Sequence, residues 1–178
     1  VTFTITILDG YDASKMQVGI NGVQLAPKSI VDNVYTFEFT AKQDTNISVV
    51  GVERKTVTII YNANARDDVS GMPEAQTVKY YLDTATAVND TIINQIPVRT
   101  GYKFLGWNKD SKAEAADSDY TVDKIKAGTT AKFTENTTLY AVWEADALTA
   151  ELIITDEFTS APSGTTISGS KLEYAYEG

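Results

Sequence analysis

The 178-residue sequence contains no cysteine and no histidine. Those two absences exclude a Ser-His-Asp triad, a thiol nucleophile, a zinc site built on imidazole or thiolate, and any disulfide. Positive charge is also in short supply, with 15 Lys+Arg against 24 Asp+Glu for a net charge of −9. Nucleic acid and anionic membrane surfaces need clustered Lys and Arg, so neither is an expected partner. No stretch approaches the ~18 consecutive apolar residues of a membrane-spanning helix, and the N-terminal residues lack the basic-then-apolar pattern of a signal peptide. No membrane insertion is expected within this segment, which reads as a soluble piece of something longer. A chain without cysteine suits the cytosol and equally suits bacterial surface proteins that do without disulfides, so the compartment is not read from that count.

Leucine is scarce as well, at 8 residues, whereas Thr (24), Val (15) and Ile (14) are abundant. β-Branched side chains are stiff at χ1 and favour a pleated surface over a helix, which predicts a mainly β protein. Over Val1–Leu8 the apolar residues fall mostly on odd positions with threonine between them, the period-two pattern of a strand buried on one face. Asp9-Gly10 closes it with a turn. Met16–Ile20 and Val23–Leu25 flank Asn21-Gly22, the strongest short hairpin signal, for which type I′ geometry is expected. Val34–Thr40 alternates again, and Ile47–Val50 follows a polar turn. These strands predict a small antiparallel β module at 1–55, a size that is marginal alone. Further strands are predicted at Thr56–Tyr61, Thr77–Leu82, Gly101–Trp107 and Thr137–Trp143, with a loop at 108–119. Between them, Val88, Ile92 and Ile96 recur at four-residue spacing and predict a short helix within 83–97. The C-terminal 145–178 is the most acidic region and carries strand-like runs at Ala150–Thr155 and Lys171–Tyr176. Such a pair cannot bury a core by itself, so it either completes an earlier module or opens a further one.

Two strings in the middle of the chain are specific. Pro97-Val98-Arg99-Thr100-Gly101-Tyr102-Lys103-Phe104-Leu105-Gly106-Trp107 has the form P-x-R-x-G-Y-x-F-x-G-W, and Thr138-Leu139-Tyr140-Ala141-Val142-Trp143 has the form T-L-Y-A-x-W. With Tyr61-Asn62-Ala63-Asn64 and Val78-Lys79-Tyr80 in the expected order, residues 56–144 resemble the Listeria/Bacteroides repeat, also called the internalin B-repeat. The usual Gly-Gly after the first strand is replaced by Ala63-Asn64-Ala65, and 83–96 reads as an insertion. The resemblance implies a β-grasp, ubiquitin-like arrangement and a stalk or adhesion module, without catalytic activity, at the bacterial cell surface or cell wall or otherwise extracellular. The expected organisation is thus a small β module (1–55), a B-repeat-like module (56–144) and a C-terminal β segment (145–178).

Tyr102, Phe104, Trp107, Leu139, Tyr140 and Trp143 are the expected structural core, with Trp107 and Trp143 burying most of their area together. Gly101 and Gly106 are expected to make room for the neighbouring rings. Tyr81, Tyr120, Tyr174 and Tyr176 are the candidates for contact with a ligand, which would be a host or cell-surface protein or a glycan. Asp67-Asp68 and Asp117-Ser118-Asp119 lack the spacing of a calcium loop and read as solvated loop acids. A glycosidase needs two carboxylates about 5–10 Å apart in a cleft, and no pair stands out. No catalytic residue, metal site or cofactor is therefore predicted. The alternatives to a stalk or adhesion module are a carbohydrate-binding module using the tyrosines and an accessory domain of a secreted hydrolase.

Overall fold

Alternating apolar residues build most of the strands where their period places them. The computed structural model describes residues 1–146 and the strand pair near the C-terminus. The chain divides into two units, Val1–Asp146 and Ala147–Gly178.

The first unit opens with β1 (Thr2–Thr6), β2 (Tyr11–Asp12), β3 (Gln17–Ile20), β4 (Val23–Leu25), β5 (Ser29–Val31), β6 (Val34–Glu38), β7 (Ile47–Val50) and β8 (Glu53–Arg54). They form two three-stranded sheets, β1-β6-β5 and β4-β3-β7, and the short antiparallel pair β2-β8. The turn at Asn21-Gly22 has positive φ at both residues (48° and 81°), as the type I′ hairpin requires. Among the hydrophobic side chains here only Ile7, Val18 and Phe37 are buried, with Phe3 stacked on Phe37 at 5.1 Å. β7 is an edge strand and exposed along its length, with Val50 at 59%.

The larger sheet follows from β9 (Thr56–Asn62), β10 (Val69–Ser70), β11 (Gln76–Lys79), β12 (Val98–Arg99), β13 (Tyr102–Asn108) and β14 (Thr137–Ala145). Its order is β10-β12-β13-β14-β9-β11, with β14 parallel to β9 and the other pairs antiparallel. One face carries Val57, Ile59 and Tyr61 from β9 and Leu139 and Ala141 from β14. Helix α1 (Val122–Lys126) and irregular chain close over that core with Ile125, Ile92, Tyr120, Ala131 and Phe133. Thr121 caps α1 through its hydroxyl, and Gly128 at φ 81° follows its end, the usual pairing of a polar N-cap with a left-handed stop.

The predicted helix within 83–97 is corrected by the structure, in which that segment is irregular chain. Its polar side chains bind the end of β11 instead: Lys79 N donates to Asp90 Oδ2 at 2.6 Å, and the Asn89 amide both accepts from Leu82 N and donates to Leu82 O. Val88 is 73% exposed while Ile92 is buried, so the four-residue spacing does not mark one face. Asn and Asp compete with helical backbone bonds through such contacts.

The β2-β8 pair lies within the first β region and leads directly into β9, and a polar joint ties that region to the larger sheet. Arg54 donates from Nε to Tyr80 O, from Nη1 to Val88 O and from Nη2 to Asn89 Oδ1. Tyr80 donates its hydroxyl to Asp9 Oδ2 at 2.7 Å.

In the second unit, β15 (Thr165–Ser168) pairs antiparallel with β16 (Lys171–Tyr174). The strand expected at Ala150–Thr155 lies outside the described residues.

Candidate functional site

The two sequence strings converge on one seam. Residues of the first string form β12 and β13, joined by a tight turn in which Arg99 pairs with Tyr102. Residues of the second form β14, which lies between β13 and β9. Trp107 is fully buried, with Tyr61 at 5.0 Å and Phe104 at 4.9 Å between ring centroids. Its indole Nε1 has no hydrogen-bond partner among the described residues. An unpaired buried donor costs about 1–3 kcal/mol, which the large apolar area of the ring must offset. Trp143 is half-buried, packs against Phe104 at 5.3 Å and donates its Nε1 to Ala63 O at 2.8 Å.

Arg99 was not singled out for a role by sequence reasoning, yet it organises the outer end of the site. Its guanidinium sits 3.5 Å from the Tyr102 ring centroid and 5.8 Å from that of Trp143. It also donates to both carboxylate oxygens of Asp67, from Nε at 3.0 Å and from Nη2 at 2.6 Å. This fork holds the Asp67 carboxyl below the usual carboxylate range. Its place between Pro97 and Gly101 in the first string was the available signal. Asn64 is the other residue that reasoning passed over. It sits at φ 50° and donates from Nδ2 to Ser111 O and Ala141 O. The Asn that replaces the expected Gly-Gly thus keeps the left-handed backbone and adds a side-chain tie.

Gly106 is tight for a reason other than ring packing. A Cβ there would lie 2.3 Å from Tyr120 O and 2.9 Å from Thr121 Cα, so backbone crosses closely over the bulge in β13. Gly101 at φ 75° has open space around it and serves the turn alone.

The structure scatters the candidate ligand-contact tyrosines. Tyr120 is corrected from an exposed contact to a core residue: it is 2% exposed, stacks on Phe133 at 5.4 Å and accepts from Lys132 N. Burial pushes its phenol up to about 12. Tyr81 is half-buried and donates its hydroxyl to Asp83. Tyr174 lies in β16, where only the backbone is described, and Tyr176 is outside the described residues. Of the six residues expected to form the core, Phe104, Trp107 and Leu139 are buried together. Trp143 packs against them, and Tyr102 is half-buried beside Arg99. Tyr140 alternates with Leu139 and Ala141 and lies half-buried on the opposite side of the sheet, level with Asn62 and Asn108.

The loop acids have local duties. Asp67 binds Arg99, Asp117 Oδ1 accepts from Asp119 N, and Asp119 pairs with Lys132 at 3.0 Å. Among the described residues no group of three or more acidic side chains is gathered for a metal. An open concavity of about 300 Å³, lined by Asp119, Lys124, Gly128, Thr129 and Lys132 among others, lies beside α1.

A scan of protein families matches residues 58–142 to the Listeria-Bacteroides repeat domain. Just under half of the chain thus matches the Listeria-Bacteroides repeat. No curated protein and no solved structure matches the chain. The matched span runs from β9 to β14, so the boundaries of the repeat coincide with the strands of the parallel seam. The repeat family is found in bacterial surface proteins, where such a domain is a non-catalytic module.

Proposed function

We propose that this chain is a non-catalytic stalk or adhesion segment of a bacterial protein displayed outside the cell, on its surface or in its wall. The observation that carries the reading is how the residues of the repeat's two strings are used. Trp107 and Phe104 are spent on the core, and Arg99, Tyr102 and Trp143 on a stack that closes the sheet's end. The repeat is a scaffold by this reading, and its contacts with a partner lie elsewhere on the chain.

The sheet order supports a β-grasp arrangement. A parallel pair, β14 and β9, sits in the middle, flanked by antiparallel β13 and β11. The crossing layer consists of α1 and the irregular 83–97 segment. Modules at 1–55, 56–144 and 145–178 follow the same reading. A weak contact with a host or surface protein or glycan would use exposed strand edges, for which β7 with Ile47, Val49 and Val50 is suited.

The test is protease shaving of intact bacteria that make the full-length parent. Release of peptides from 58–142 without cell lysis is the expected result, and retention of those peptides inside intact cells overturns the reading. Deleting 58–142 is expected to weaken display or adhesion while leaving any enzymatic activity of the parent unchanged.

A further inference from the structure

We infer that the repeat is a load-bearing element whose strength resides in the seam between β9 and β14. Its first and last strands lie side by side and parallel, in the register Ile59 with Thr137 through Asn62 with Tyr140. Tension along the chain enters at the start of β9 and leaves at the end of β14. In a parallel pair those points are at opposite ends, so the pull slides the strands past each other and loads every cross-link at once. Pulling at the same end of both strands would instead open the links one after another.

Three side chains lengthen the seam beyond its paired residues. At the lower end, Thr58 N donates to Asn136 Oδ1 at 2.8 Å. At the upper end, Asn64 Nδ2 donates to Ala141 O at 3.2 Å and Trp143 Nε1 to Ala63 O at 2.8 Å. The seam is also interior: β11 flanks β9, and β13 flanks β14. Ile59, Tyr61, Leu139 and Ala141 cover one face and are all less than 9% exposed. Water, which competes for hydrogen bonds as they stretch, is kept from that side. Forced unfolding is governed by the barrier to leaving the native state, and simultaneous rupture of a dry, stitched seam raises that barrier.

The absence of cysteine makes the test direct, because introduced thiols are unique handles. In the full 178-residue chain, Lys55→Cys with Asp146→Cys pulls the seam in shear. Lys55→Cys with Glu135→Cys peels it from the end where both strands begin. The side chains of Lys55 and Glu135 are exposed, and Asp146 follows the strand. At equal loading rate the shear geometry is expected to rupture at twice the force of the peel geometry or more. It should release about 30 nm, from about 90 residues at about 3.4 Å each, less the folded separation of the handles. Adding Trp143→Phe should lower the shear force and leave peeling, which starts at the other end, unchanged; refolding between pulls checks that this variant folds. Equal forces in the two geometries, or a Trp143→Phe variant as strong in shear as the parent, overturn the inference. The use of such strength rests on the stalk reading, but the outcome does not. A weak seam refutes this inference alone, whereas failure of surface display refutes the stalk reading and leaves the forces as measured.

Discussion

Replacing Gly106 by alanine should destabilise the repeat far more than one methyl group suggests. The residue adopts φ 139°, where an L side chain is strained. The added Cβ would meet Tyr120 O at 2.3 Å, Ala116 Cβ at 2.7 Å and Thr121 Cα at 2.9 Å. Two of those neighbours are backbone atoms, and Tyr120 O already accepts the hydrogen bond from Trp107 N at 3.0 Å. No side-chain rotation relieves the contact; the 116–121 segment must move away from β13. An L residue at positive φ costs about 1–2 kcal/mol and overpacking about 1–3 more, for a loss of about 2–5 kcal/mol. Gly101→Ala is the control, because it has φ 75° and open space, and should cost only the backbone share of about 1–2 kcal/mol. Both tryptophans, Trp107 in β13 and Trp143 in β14, lie on the larger sheet, so urea unfolding followed by tryptophan fluorescence reports on that sheet specifically. A Gly106→Ala variant within about 1 kcal/mol of the parent, or no less stable than Gly101→Ala, would refute the argument.

Trp107→Ala is expected to cost about 3–5 kcal/mol by emptying the centre of the core, and Trp143→Ala distinctly less, since that ring is half-buried; equal losses in urea melts would contradict the burial difference. Alkaline stability should follow the tyrosines. Tyr120 titrates near 10 when unfolded and is raised to about 12 when folded by burial, so its contribution is complete below about pH 10 and drains away as pH rises through about 12. Tyr120→Phe should flatten that loss in circular-dichroism titrations, although it leaves Lys132 N without its acceptor. Acid acts in the opposite sense through Asp67, whose folded carboxyl is held low first by its hydrogen bonds from Arg99. Its contribution is present above the ordinary aspartate value near 4 and is lost as pH falls below it, and Asp67→Asn should remove that part of the acid sensitivity in denaturation midpoints.

Much of the architecture was legible because it is local. Period-two alternation located β1, β6, β9 and β14 to within two residues at each end. Asn21-Gly22 specified its hairpin through the backbone alone, since Gly tolerates positive φ freely and Asn more readily than most residues. The two aromatic strings marked the repeat because their order and spacing are dense enough to be read without a structure. Helix α1 was passed over, although Thr121 before it and Gly128 after it are ordinary start and stop signals. Five residues offer too few apolar positions to show a helical period.

Residue composition and periodicity therefore determined that the chain is β-rich and lacks imidazole and thiol chemistry, and the two aromatic strings marked the span that matches the Listeria-Bacteroides repeat. Tertiary structure alone decided what depends on residues distant in sequence. It turned Tyr120 inward onto Phe133, drew the polar 83–97 segment against β11 instead of into a helix, and laid the 120–121 backbone over Gly106. It also set the first and last strands of the repeat parallel and adjacent, where Asn64, Asn136 and Trp143 could stitch them. A pattern along the chain reports which residues prefer burial or a given backbone angle. Which surface buries them, and which distant carbonyl a side chain meets, is fixed only when the strands have paired.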